Sequence, residues 1–156
     1  MRKKRTYRKY FTPDYVYDSV VVHRFINYLM LDGKRTVAER VFYDAMRAVE
    51  DTTKIKPLEI FEKALENATP ALEVSSRRIG GANYQVPREV RMERKFMLAA
   101  RWVITAARAK KGMPMAKRLA DELIAASNNE GAAVKKKQET HRMAEANRAF
   151  AHFARR

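Results

Sequence analysis

Apolar positions along this chain change period twice, and the changes divide it into helix, hairpin and helix. Val22, Phe25, Ile26 and Leu29 recur every three or four residues, which predicts one buried face of a helix ending near Leu31. Asp18 or Ser19 is placed to cap it, and Gly33 stands just past its end. Thr36 and Glu39 match a capping box, and Val37, Val41, Ala45 and Val49 predict the inward stripe of a second helix. Pro57 opens a third, with Leu58, Phe61, Leu65 and Ala68 inward and Pro70 as its stop.

Between residues 71 and 91 the period falls to two. Leu72, Val74, Tyr84, Val86 and Val90 alternate with polar residues around Gly80-Gly81, a pair that supplies positive φ without steric cost. Pro87 has no amide to donate, so its strand cannot lie in the middle of a sheet. Ser75, Ser76, Arg77, Arg78, Asn83 and Gln85 gather toward the tip and the apolar residues toward the base, which describes an arm leaving a globular body. Two strands alone are marginal in water, so the tip needs a partner surface to become rigid.

The helical period then returns. Met92, Phe96, Ala99, Ala100, Val103, Ala106 and Ala107 share one arc of a fourth helix, Met92 to Ala109. Pro114 opens a fifth, with Ala116, Leu119, Ala120, Leu123 and Ser127 on one side. After an Asn-Asn-Glu-Gly turn, a sixth starts with Lys135, Lys136 and Lys137 and turns Met143, Ala146, Phe150 and Phe153 toward the core. No repeat is visible, so the fold class is mainly α: one domain over residues 1–156, a bundle of about six helices with a protruding two-stranded arm between helices three and four.

Charge adds what hydrophobicity does not. Lys and Arg number 33 against 18 Asp and Glu, a net charge of +15. Residues 1–10 hold six bases and no acid, and residues 75–101 and 133–156 each hold seven bases against two acids, whereas residues 11–74 hold eight bases and eleven acids. Solubility alone does not require that segregation. It points to an anionic partner: nucleic acid, an acidic protein or an anionic membrane surface. Residues 1–12 read as a flexible basic tail, because no hydrophobic run follows to make them a secretory signal, although charge alone also permits a nuclear or organellar address. No uncharged apolar run approaches a membrane span, and zero cysteines fit a reducing compartment.

The fourth helix carries the strongest chemical signal. Arg91, Arg94, Lys95, Arg101 and Arg108 lie opposite its apolar arc together with Trp102; guanidinium groups grip phosphates in pairs of bonds, and an indole can stack on an unpaired base. Lys34 and Arg35 precede the second helix, whose free amides already favour an anion. They do not form a P-loop, because Tyr28 stands where its upstream glycine belongs. Cations at the start of the sixth helix oppose its dipole unless an anion neutralises them. Three histidines without a cysteine or glycine-framed serine offer no nucleophile, and His141 with Glu145 makes two ligands, not a metal site. No cofactor box is visible, and enzyme activity is the weak hypothesis. A solvated hairpin whose arginines only aid solubility, a free translational repressor or RNA chaperone, and a DNA-architectural protein remain alternatives at this point.

Three separated segments carry a resemblance. Ser19, Val21, Phe25-Ile26, Gly33-Lys34-Arg35, Val41-Phe42 and Ala45, then SRRIGGANYQVP, then the lysine triplet followed by HRMAEANRAFAH, resemble the bacterial-type small-subunit ribosomal protein seven family. The resemblance implies six helices with a protruding hairpin and a non-catalytic primary binder of small-subunit rRNA that nucleates the 3′ major domain, the head. It places the arm and C-terminal helix near the exit-site tRNA and the mRNA exit path, with proteins nine and eleven as neighbours, in a cytoplasmic or organellar ribosome. Some members also bind their own operon mRNA.

The RNA-binding residues so implied, together with the basic clusters above, are Arg2, Lys3, Lys4, Arg5, Arg8, Lys9, Lys34, Arg35, Arg77, Arg78, Gly80, Gly81, Asn83, Tyr84, Arg88, Arg91, Arg94, Lys95, Arg101, Trp102, Arg108, Lys110, Lys111, Lys135, Lys136, Lys137 and Arg142. No metal or cofactor is implied. The chain departs from the family pattern at Ser75, where arginine is frequent, at Arg91-Met92-Glu93-Arg94, and in its Phe-Ala-Arg-Arg end.

Overall fold

The computed structural model describes residues 12–155, so the expected basic tail lies almost wholly outside the described residues. Helices α1 (Val20–Leu29), α2 (Arg35–Thr53) and α3 (Pro57–Ala68) lead into strands β1 (Leu72–Ile79) and β2 (Ala82–Glu89). Helices α4 (Met92–Ala109), α5 (Met115–Ser127) and α6 (Gly131–Ala146) follow, and a 3-10 segment, Arg148–Arg155, ends the described chain.

Helix α5 is central, packed against α2, α3, α4 and α6. Leu119, Ala120, Leu123 and Ala126 are its buried apolar residues in that position. Phe25, Phe42 and Phe61 meet beside it, with ring centroids 5.1 to 5.7 Å apart, two of the three pairs edge-on. Edge-to-face contact is the favoured geometry for aromatic quadrupoles, so this triad joins α1, α2 and α3 by more than area alone.

Helix ends are tied by side chains from other elements. Asn67 at the end of α3 donates to the Ala126 and Ser127 carbonyls of α5, at 2.9 and 3.0 Å. Lys137 on α6 donates to the Asn67 carbonyl at 2.8 Å. Glu122 is fully buried; its Oε1 accepts the Ala133 N–H in the first turn of α6 at 3.0 Å. Its Oε2 lies 2.9 Å from Lys110 Nζ in an ion pair and has no hydrogen-bond partner among the described residues. The carboxylate thus serves as the N-terminal cap of a helix it does not belong to.

Several expectations need correction. Helix α2 begins one residue before Thr36, with Lys34 as its cap and no side-chain cap bond; Glu39 pairs with Arg35 at 2.7 Å in place of closing a capping box. The Lys34 carbonyl already accepts the Ala38 N–H, which starts the helix early. Its buried stripe is Ala38, Phe42, Ala45, Met46 and Val49, and Val37 is 54% exposed. Met92 at the start of α4 is exposed as well, because the core does not reach that turn. Helix α6 starts at Gly131, so Lys135, Lys136 and Lys137 stand a turn inside it, where the dipole opposes them less.

Met143 and Ala146 are exposed, and the chain leaves the α-helix at Asn147. Phe150 then packs on Tyr84 of the hairpin, centroids 4.8 Å apart, and not in the core. The hairpin pairs Leu72 with Glu89 through Ile79 with Ala82, and Gly80 and Gly81 make a two-residue turn at φ +57° and +93°. Successive residues of a strand face opposite ways, so this register puts Leu72 and Val74 on the opposite face from Tyr84 and Val86. Each face therefore carries apolar residues near its base, matching an arm held on both sides.

Candidate nucleic-acid interface

Helices α1 and α4 build the first surface. Arg24 lies 4.3 Å over the Phe96 ring, and Tyr28 sits 6.0 Å from the same ring, one turn along α1. Beyond them a cleft of about 350 Å³ is lined by Asn27, Tyr28, Arg101, Ile104, Thr105 and Arg108. Arg108 donates to the Leu29 carbonyl at 3.0 Å, which places a cation at the negative end of α1. Arg35, in the first turn of α2, is tied to the cleft residue Asn27 through its Oδ1 at 3.1 Å, and is held by Glu39 at 2.7 Å and by contact with His23 Nδ1 at 3.3 Å. Arg101 is exposed and has no partner among the described residues. Trp102 is half-buried and packs against the core, so it is less available for stacking than its helical-wheel position implied. Sequence reasoning missed Arg24, Asn27 and Tyr28; the four-residue spacing of Arg24 and Tyr28 beside the Phe25 stripe was the available signal.

The arm is the second surface. Arg78 at its tip is exposed and partnerless among the described residues, and Asn83 beside it is exposed. Arg77 is tethered: Nη1 donates to the Phe153 carbonyl at 2.9 Å. With Tyr84 on Phe150, that bond makes the terminal 3-10 segment a backing for β2. Gly80 and Gly81 have open space around them, so the turn needs glycine for its φ angles and not for packing within the chain. At the arm's base Glu73 accepts Arg88 and Arg94 on its two oxygens, at 2.6 Å each.

Helix α6 and the α4–α5 loop supply the third. Lys135 and Arg142 are exposed and unpaired among the described residues, and so is Lys111. Lys136 meets Glu139 at 3.4 Å, Lys137 is committed to Asn67, and Lys110 to Glu122. His141 Nε2 accepts the Ala71 N–H at 3.1 Å and so fastens the arm to α6. Burial lowers its pKa below the ordinary value near 6.5, and the Lys137 charge lowers it further, so the imidazole is neutral and able to accept. Lys34 and Arg91, the backbone caps of α2 and α4, are exposed, and Lys95 is half-buried; all three are partnerless among the described residues.

The predicted cations thus fall into two kinds. Lys34, Arg78, Arg91, Lys95, Arg101, Lys111, Lys135 and Arg142 are uncommitted within the described residues, whereas Arg35, Arg77, Arg88, Arg94, Arg108, Lys110, Lys136 and Lys137 already have partners within the protein, that of Lys136 being only an exposed neighbour on its own helix. Arg2, Lys3, Lys4, Arg5, Arg8 and Lys9 lie outside the described residues. No group of three or more His, Asp or Glu among the described residues could hold a metal ion, and none of their helices is long and apolar enough to cross a membrane.

A family model described as ribosomal protein S7p/S5e matches residues 1–148. The chain is 54% identical over 153 residues to the small ribosomal subunit protein uS7 of Thermotoga maritima, covering 98% of this chain and 99% of that one. It is equally similar, over the same shares, to the uS7 of Lactococcus lactis subsp. cremoris. To the uS7 of Dictyoglomus thermophilum it is 56% identical over 141 residues, 90% of each chain. With the hairpin, the helical body and the segregated cations in place, matches of this extent leave one assignment: the chain belongs to the ribosomal protein S7p/S5e family.

Proposed function

We propose that the protein is a structural, non-catalytic constituent of the cytoplasmic small ribosomal subunit that binds small-subunit rRNA directly and nucleates the 3′ major domain. Its arm and C-terminal segment then lie near the exit-site tRNA and the mRNA exit path, beside small-subunit proteins nine and eleven. The observation that carries this reading is the near-full-length family match of a chain whose uncommitted cations are spread over the α2 start, the arm tip, α4 and α6.

The rigid α1–α4 face, where Arg24, Arg35 and Arg108 are already held in place, docks with little ordering cost. Arg78 at the arm tip adds contacts at a distance from it. Counterion release supplies most of the affinity, so six to ten phosphate contacts would lose roughly three to five decades between about 50 and 200 mM salt. Selectivity comes from RNA shape and unpaired bases.

The test is binding of purified protein to the 3′ major domain of small-subunit rRNA and to an unrelated structured RNA of equal length, across a salt series. A preference of about tenfold or more near physiological salt is expected. Equal binding that fades together for both RNAs would reduce the protein to a polycation with a helical core.

A further inference from the structure

We propose that Glu73, an acid inside a basic arm, is a positioning residue for RNA binding: it holds Arg88 and Arg94 side by side so that their free N–H edges meet a phosphate group at the base of the hairpin. The inference rests on the rRNA-binding reading above and names the part of the arm that grips. The Glu73 side chain is 10% exposed, while those of Arg88 and Arg94 are 47% and 44% exposed, so one buried carboxylate lies beneath two half-open guanidinium groups. Arg88 points both Nε and Nη2 at Oε1, at 2.7 and 2.6 Å, and Arg94 meets Oε2 through Nε alone, at 2.6 Å. That leaves Nη1 of Arg88 and both Nη groups of Arg94 without a partner among the described residues.

The three residues come from three elements. Glu73 and Arg88 are cross-strand partners in β1 and β2, and Arg94 is in the first turn of α4. Arg91, without a partner among the described residues, caps that helix next to them. Glu89 and Glu93, the exposed acids nearby, form no ion pair among the described residues. Glu73 therefore differs from its neighbours in being buried and doubly bonded. A long arginine free in water must be ordered when it grips a phosphate; two arginines fixed on a shared carboxylate have already lost that freedom. The triad keeps a net charge of +1, enough to attract the anion.

The sign of the effect separates this idea from simple electrostatics. Removing an acid from a cationic surface should tighten RNA binding, whereas removing a positioning residue should weaken it. The experiment measures affinity and salt slope of the wild type, E73Q, R88A/R94A and the triple variant, for the 3′ major domain and the unrelated RNA, with circular dichroism to check folding. The expected result is a loss of about fivefold or more for E73Q, with a salt slope shallower by about one to two contacts, each worth about 0.7 to 0.9. That loss should vanish in the R88A/R94A background.

Unchanged or tighter binding by E73Q overturns the proposal, and so does a loss of the same size with the arginines already gone, which would mark a purely structural role. Should E73Q fail to fold, R88K/R94K carries the test at unchanged net charge: weaker binding supports positioning by the guanidinium forks, and equal binding overturns it. Equal affinity of the wild type for the two RNAs would refute the assembly role, yet the same ratios between variants would still read out Glu73.

Discussion

Removing the Lys110 amine should destabilise the protein, and then neutralising Glu122 should restore part of the loss. The Glu122 side chain is 1% exposed and that of Lys110 32%, so water can solvate the amine but not the carboxylate. Breaking a buried pair costs about 3 to 5 kcal/mol because one charge is left uncompensated. Here the Ala133 N–H and the positive end of α6 still stabilise the carboxylate, which brings the figure for Lys110→Met to about 2 to 4 kcal/mol. In a chain of 156 residues, that loss lowers Tm by roughly 4 to 16 °C at about 2 to 4 °C per kcal/mol.

Glu122→Gln added to Lys110→Met keeps an oxygen for Ala133 and removes the uncompensated charge. The double variant should therefore be more stable than Lys110→Met alone, with a coupling of at least about 1 kcal/mol. Urea unfolding followed by circular dichroism at 222 nm measures all four proteins, provided the slope with denaturant stays constant across the set. Strict additivity of the two substitutions would refute the reasoning, because it would mean that the amine does not compensate the buried carboxylate.

Gly131→Ala should cost about 1 to 3 kcal/mol, since the residue has φ +90° and a Cβ there would sit 2.8 Å from Glu122 Oε1; a thermal melt reads the loss, and an unchanged Tm would contradict this geometry. Phe42→Ala should cost about 3 to 5 kcal/mol while Val37→Ala on the same helix stays within about 0.5, and similar losses for both would mean that the buried stripe of α2 is misplaced. His141 charges more readily unfolded than folded, so the unfolded state binds more protons and stability falls as pH drops through the ordinary value near 6.5. His141→Gln, which can still accept the Ala71 N–H but does not titrate, should flatten that part of a Tm-against-pH profile, and an unaltered slope would count against it. Arg78→Ala should weaken RNA binding about equally for related sequences and reduce the salt slope by about one contact without changing the circular-dichroism spectrum.

By itself the sequence determined the six α-helices and the hairpin, their order and the segregation of charge, though not the 3-10 segment that ends the described chain. Helix α4 spans the residues its apolar period marked, and the two-glycine turn closes the hairpin where alternation placed it, because period and turn chemistry are local properties. The three family segments are local too, and with them came the expectation of a ribosomal RNA binder.

Tertiary structure alone decided which cations among the described residues are paired and which are not. Arg78 and Arg77 are neighbours in sequence, yet only Arg77 reaches the Phe153 carbonyl, 76 residues away. Lys110 and Lys111 divide in the same way, one on Glu122 and the other unpaired among the described residues. Nothing in the local pattern distinguishes such pairs, because a salt bridge depends on where a distant acid comes to lie. Glu73 and Glu122 show this most plainly: each reads as an ordinary acid in its segment, and each becomes buried only when three elements close over it. Long-range packing also moved Phe150 from the anticipated core to the hairpin, since the α-helix that would have carried it inward ends at Ala146.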